Sequence, residues 1–149
     1  MSKGVSIREK LDVFHARQHV RGLAGQLGFG HIAREELAIV ASELATNILK
    51  YAGVGELEFR TVEDPVRGAG IVIEARDAGP GIENFSFAVR DGYGGSGPLD
   101  PAKLLTRGGI GAGLGAVVRM TDALEYEYEA GNKCVRATRY VRPERRDVT

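Results

Sequence analysis

The segment EARDAGPGI, residues 74–82, ends a predicted strand in a carboxylate and continues into a turn rich in glycine and proline. In the two-residue period of a strand, Asp77 falls on the same face as the apolar residues Ile71, Ile73 and Ala75. Its side chain is therefore predicted to emerge from the apolar side of a sheet. There a carboxylate can accept a hydrogen bond from the exocyclic amine of a base such as adenine, and glycines let a flat ring approach the backbone. Taken alone, the segment also fits an ordinary turn with Asp at its first corner.

The sequence around this segment predicts an α+β fold. Two amphipathic helices come first, over 12–27 and 33–52, each followed by glycine. Alternating residues predict paired strands near 56–60 and 71–76, and later a hairpin that turns at Gly131-Asn132 and returns over 134–141. Helices clustered ahead of antiparallel strands favour helices packed on one face of a sheet. We expect one domain over 1–141, with an N-terminal strand and helix, and a frayed charged tail over 142–149.

Composition excludes several classes of protein. The 149 residues contain 20 basic and 20 acidic side chains, so no overall field favours nucleic acid or anionic lipid. One cysteine, Cys134, cannot form an internal disulfide or a multi-cysteine metal site. No signal-peptide pattern and no run of 18 apolar residues occurs. We therefore expect a cytoplasmic protein with neither nucleic acid nor membrane as a partner.

Two polar residues of the second predicted helix form a candidate site. Glu43 and Asn47 are four residues apart, so they project from one face at the edge of the apolar stripe. A carboxylate and an amide there could orient a hydroxyl and ligate Mg²⁺ through the amide oxygen. Solvated neighbours on a helix surface are the alternative interpretation of this pair.

A cluster of glycines over 108–115 precedes a short predicted helix that runs to about Met120. Glycines expose backbone N–H groups, and a helix N-terminus adds partial positive charge, so the cluster could hold phosphate. A Rossmann motif is disfavoured because no βαβ unit with a ribose-binding acid follows, and a Walker loop is excluded by the missing Gly-Lys-Ser/Thr ending. Arg107 could reach a terminal phosphate or remain a solvated loop residue.

The order of these three elements resembles that of the GHKL ATPase family. Glu43 and Asn47 match its N box, and the two glycine boxes match Asp77, Gly79 and Gly81, then Gly109, Gly111 and Gly113. Further stretches resemble the RsbT-like serine/threonine kinases, namely residues 16–18, 27–30, 42–47, 51–53 and 111–114. The resemblance covers nearly the whole chain. It implies a GHKL (Bergerat) two-layer α/β sandwich with a mixed, mainly antiparallel sheet.

The resemblance also implies a role for each matched residue. Asp77 would hold adenine with Gly79, Gly81 and Ile82, and Asn47 would hold Mg²⁺ between the phosphates of ATP. Glu43 would be the general base, or the group that orients a substrate serine hydroxyl. The remaining nucleotide contacts would come from Arg107, Gly109, Ile110, Gly111, Ala112, Gly113 and Leu114.

RsbT-like kinases phosphorylate a STAS-domain antagonist and, once released, activate a phosphatase, so this resemblance implies both partners. Two alternatives share the ATP site: an RsbW-type anti-sigma factor that sequesters a sigma factor, and a non-catalytic module whose conformation depends on nucleotide. Tyr51 stands where many family members carry histidine, as it does in RsbT-like sequences. The lid segment over 92–107 is longer than is usual in that branch and is predicted to be disordered without ligand.

Overall fold

The computed structural model describes residues 2–82, 93–94, 97–98 and 110–142. These residues contain three helices and seven strands, of which the helices and the five strands of the main sheet follow the predicted order. The other two strands, over 93–94 and 97–98, were not predicted and lie in the segment 92–107 that was expected to be disordered. In chain order they are β1 (Ser2–Ile7), α1 (Lys10–Gln26), α2 (His31–Tyr51), β2 (Gly55–Asp64), β3 (Gly68–Asp77), β4 (Tyr93–Gly94), β5 (Gly97–Pro98), α3 (Ile110–Arg119), β6 (Ala123–Glu129) and β7 (Asn132–Tyr140).

Five strands form one sheet in the order β1-β2-β3-β7-β6, and β3 is its central strand. All four pairings in this sheet are antiparallel. The helices lie on one face, because their buried residues form a single core with the inward-facing residues of the strands. The predicted α+β sandwich is therefore confirmed. Among the described residues, the short strands β4 and β5 pair only with each other.

The apolar stripes of the first two helices form most of the helical side of the core. Ala16, Val20 and Ala24 of α1 are buried, and α2 buries a wider stripe of seven residues between Leu37 and Ile48. Both helices begin two residues before their predicted starts. At α1 the Asp12 carboxylate accepts a hydrogen bond from the Glu9 backbone N–H at 3.1 Å, which satisfies a donor that the helix leaves unpaired.

The hairpin between β6 and β7 turns one residue earlier than predicted. Glu129 pairs with Asn132, so the two turn residues are Ala130 and Gly131. Both have positive φ, 53° and 81°, as a type I′ turn requires. Positive φ is uncommon for alanine, and for this reason the sequence favoured Gly131-Asn132.

The outer face of the sheet carries a carboxylate surrounded by arginines. Glu74 is 2% exposed and accepts hydrogen bonds from Arg60, Arg76 and Arg136. Burial raises the pKa of Glu74, but hydrogen bonds from Arg60 and Arg136 and the charges of Arg136 and Arg76 outweigh burial and hold the pKa at about 2. This face is therefore held together by ion pairs, and the apolar core lies on the helical side.

Two predicted segments lie largely outside the described residues. Of the proposed lid over 92–107, only 93–94 and 97–98 are described, and of the tail over 142–149 only Arg142 is described. Within the described part of the chain, no helix is both long and apolar enough to cross a membrane.

Candidate functional site

Asp77 ends the central strand with its side chain on the helical side of the sheet, as its position in the alternation predicts. The side chain is only 3% exposed. Its Oδ1 accepts a hydrogen bond from the Gly79 backbone N–H at 2.8 Å, and the same oxygen lies 3.4 Å from Nζ of Lys133. The carboxylate is thus oriented by a turn amide and by a buried ammonium group.

The turn after Asp77 passes so close to α2 that Gly79 has no room for a side chain. A Cβ there would lie 2.9 Å from Cβ of Ala52 and 3.0 Å from the carbonyl oxygen of Tyr51. At Gly81 a Cβ would meet the hydroxyl of Tyr126 at 3.1 Å. The chain is fixed at the next residue, where the Ile82 backbone N–H donates to that same hydroxyl at 2.8 Å.

Glu43 and Asn47 lie on neighbouring turns of α2 and both face α3. A Cβ on Gly113 would lie 2.7 Å from Oε2 of Glu43 and 3.8 Å from Nδ2 of Asn47. The carboxylate therefore lies directly against the glycine backbone. The structure brings a candidate base and a candidate metal ligand, four residues apart on α2, against the glycine-rich helix, which lies far from them in the sequence.

A small cavity joins these two halves of the site. Its lining is mainly apolar, with three polar side chains, and consists of Leu44, Asn47, Ile48, Ala75, Asp77, Ile82, Leu114, Lys133 and Val135. Its volume of about 20 Å³ is close to that needed for one water. A purine would therefore require the lining side chains to move, although the chemistry of the lining suits a flat base with a hydrogen-bonding edge.

The comparison with known families agrees with this arrangement. Residues 9–139 match the model of the histidine kinase-like ATPase domain. The chain belongs to this family. The GHKL resemblance drawn from the three sequence motifs is therefore confirmed.

A curated relative places the chain more closely within the histidine kinase-like ATPases. The chain is 38% identical over 128 residues to the serine/threonine-protein kinase RsbT of Bacillus subtilis (strain 168). The aligned region covers 85% of this chain and 86% of that protein. This similarity confirms the predicted enzyme class, a serine/threonine protein kinase that uses ATP. Among solved structures, a chain in the crystal structure of the SiaB-SiaC complex from Pseudomonas aeruginosa is similar to this one, with a TM-score of 0.56 and 16% sequence identity. The match covers 93% of this chain and 89% of that chain. That likeness concerns the fold alone.

Part of the predicted ATPase site lies outside the described residues. Arg107 and Gly109 are not described by the structure, so their roles stay predictions. Ile110, Gly111 and Ala112 form the first turn of α3, and Leu114 is fully buried against the core. Since α3 begins at Ile110, most of the glycine cluster belongs to the helix rather than to a loop before it.

Two residues that contact the candidate site were missed by the sequence analysis. Tyr126 holds the turn after Asp77 through Ile82, and Lys133 pairs with Asp77. Strand alternation could have indicated Lys133, because it lies two residues before Val135 on the core-facing side of β7. It was missed because the predicted strand began at Cys134.

Proposed function

We propose that this chain transfers the γ-phosphoryl group of ATP to a serine of a STAS-domain antagonist protein in a partner-switching pathway. The observation that carries the proposal is the placement of Glu43 and Asn47 together against Gly113 of α3. A base, an oxygen ligand and a glycine-rich helix at one place are the parts that phosphoryl transfer needs. The 38% sequence identity to RsbT, over 85% of the chain, supports a kinase of this class.

Each residue has a defined part in this proposal. Asp77 accepts a hydrogen bond from the 6-amino group of adenine, while its contact with the Gly79 amide fixes the direction of the carboxylate. Asn47 offers its amide oxygen to Mg²⁺, which neutralises charge on the phosphates when bound. Backbone amides of the glycine-rich segment hold the phosphates. Glu43 orients the serine hydroxyl and accepts its proton as the oxygen attacks phosphorus.

The position of Glu43 at the border of the core is compatible with the proposed role in proton transfer. Glu43 is half-buried on α2, and its neighbour Leu44 is 2% exposed. A carboxylate at the border of the core can approach a partner's hydroxyl from one side and the nucleotide from the other. A residue placed in this way determines the rate of transfer more than the affinity for ATP.

The downstream step belongs to the same proposal. After phosphorylation the antagonist dissociates, and the released kinase binds and activates a phosphatase in the cytoplasm. The support for this step is the similarity to RsbT. Sequestration of a sigma factor, as by an RsbW-type protein, is the competing outcome.

Intact mass spectrometry of a STAS-domain protein incubated with this chain and Mg·ATP tests the proposal. We expect the partner to gain one phosphate, and we expect Glu43→Gln to slow that gain by about 100-fold or more while ATP binding persists. The matched control is Thr46→Ala, an exposed position on the same helix. ATP binding without phosphate on the partner would contradict the kinase proposal and favour the sigma-binding or non-catalytic alternatives.

A further inference from the structure

The buried lysine beside Asp77 has no part in the mechanism proposed above. Lys133 is 4% exposed, and its ammonium nitrogen lies 3.4 Å from Oδ1 of Asp77. Lysine is almost never so fully buried unless it is paired. Here the pair lies across two neighbouring strands, because Asp77 and Lys133 are partners in the register of β3 and β7.

The pair lies at the base-binding end of the candidate site. Asp77 and Lys133 both line the cavity that also contacts Asn47, and both line a wider groove of about 550 Å³ at the end of the sheet. A ligand that reaches the Asp77 carboxylate through this cavity therefore has the Lys133 ammonium group beside it.

The two side chains offer complementary hydrogen-bonding groups. The carboxylate accepts only, and the ammonium donates only. Adenine has the matching pattern, since its 6-amino group donates and the neighbouring ring nitrogens, N1 on one side and N7 on the other, accept. Oδ1 of Asp77 already accepts from the Gly79 amide and faces the ammonium group, so a nucleobase that takes up part of this carboxylate leaves Lys133 in need of a second acceptor.

We propose that Lys133 is a specificity-determining residue for the base: it donates a hydrogen bond to a ring nitrogen beside the amino group that Asp77 recognises. This inference rests on the proposed ATP site, and it adds a second reading of the base to that made by Asp77. In the absence of nucleotide, the ammonium is held by Asp77, so a base replaces part of an existing ion pair.

Nucleotide analogues test this inference on the unaltered protein. Affinities for ATP, 1-deaza-ATP and 7-deaza-ATP are measured by calorimetry with Mg²⁺ present. We expect one deaza analogue to bind about tenfold more weakly than ATP, because a hydrogen bond to a charged group is lost. The analogue that is affected identifies the ring nitrogen. Equal affinities for all three nucleotides would overturn the inference while leaving the ATP site intact.

A substitution links that loss to the lysine. In Lys133→Met the donor is removed and the aliphatic length is kept, so ATP and the sensitive analogue should bind equally. Lys133→Arg keeps the charge and serves if the methionine variant does not fold; it should change the ratio of the two affinities. A preference for ATP that persists unchanged in both variants would assign the discrimination to another residue. Absence of ATP binding by the unaltered protein would overturn the proposed function as well.

Discussion

Oε2 of Glu43 lies 2.7 Å from the point that a Cβ on Gly113 would occupy. No real Cβ approaches an oxygen so closely, so a residue with a side chain at this position would have to displace either the carboxylate or the helix. The contact joins α2 to α3 at the proposed site of phosphoryl transfer. Gly113 is therefore required because it has no side chain, and not because of its backbone freedom.

Substituting this glycine should impair transfer without unfolding the protein. We expect Gly113→Ala to lower the rate of partner phosphorylation by about 100-fold, because a shift of about 1 Å at a catalytic group has an effect of that size. Helix propensity favours alanine over glycine. The control is Gly22→Ala in α1, where nothing lies within 4 Å of the added carbon. Equal rates of partner phosphorylation for Gly113→Ala and Gly22→Ala would show that the position of Glu43 does not determine the rate of transfer.

The amide of Asn47 should carry the dependence of nucleotide binding on magnesium. We expect the unaltered protein to bind ATP more tightly with Mg²⁺ than with EDTA, and Asn47→Ala to lose at least about tenfold of that gain, because a ligand to the ion is removed. Calorimetric titrations under both conditions measure the effect. Thr46→Ala is the control, and an undiminished magnesium effect in Asn47→Ala would place the ion elsewhere.

The buried pair of Asp77 and Lys133 should be costly to break from one side. Asp77→Asn leaves a buried ammonium without its counter-charge, so we expect a loss of about 3 kcal/mol in the free energy of unfolding at pH 7. Urea denaturation measures the change. Adding Lys133→Met to the same chain should restore most of the loss, since the unpaired charge is then gone.

An exposed pair provides the comparison for that experiment. Arg21 and Glu35 form a 3.0 Å ion pair with side chains 38% and 43% exposed. Glu35→Gln should therefore destabilise the fold far less than Asp77→Asn. If the two substitutions have similar effects, the pair at Asp77 is not insulated from solvent.

Acid should weaken the fold through Glu74. Its pKa of about 2 in the folded chain lies below the ordinary value of 4.5, so its contribution is complete above about pH 4.5 and disappears as the pH falls towards 2. The difference between these two pKa values corresponds to roughly 3 kcal/mol. We expect Glu74→Gln to be less stable than the unaltered protein at pH 7 and nearly equal to it at pH 2. A gap that stays constant between these values would show that the carboxylate charge is not the source.

Most of the fold could be predicted because its elements repeat strong local patterns. The stripes of α1 and α2 follow the helical period over several turns, and β2 and β3 alternate clearly, so their order and type were recovered. The hairpin turn was misplaced because its first residue, Ala130, adopts a conformation usually left to glycine or asparagine. Local sequence preference was overruled there by the register of β6 and β7.

The geometry of the candidate site could be predicted only for residues that lie on the same helix or strand. Asp77 follows from the alternation of β3, and Glu43 with Asn47 from the spacing of α2. The contact between Glu43 and Gly113 depends on how α2 packs against α3, and the pairing of Asp77 with Lys133 depends on which strand becomes the neighbour of β3. Neither is encoded by spacing along the chain, since each joins distant segments.

Because β3 is the central strand, we expect the two ends of the proposed nucleotide site to differ in their local stability. Asp77 ends a strand that is hydrogen-bonded on both sides, by β2 and by β7, whereas Gly113 belongs to a helix of ten residues. In amide hydrogen exchange, the interior of β3 should exchange only when the whole domain opens, and α3 can exchange through local opening. Protection of α3 amides would then report nucleotide occupancy, while β3 amides in the same sample report global stability.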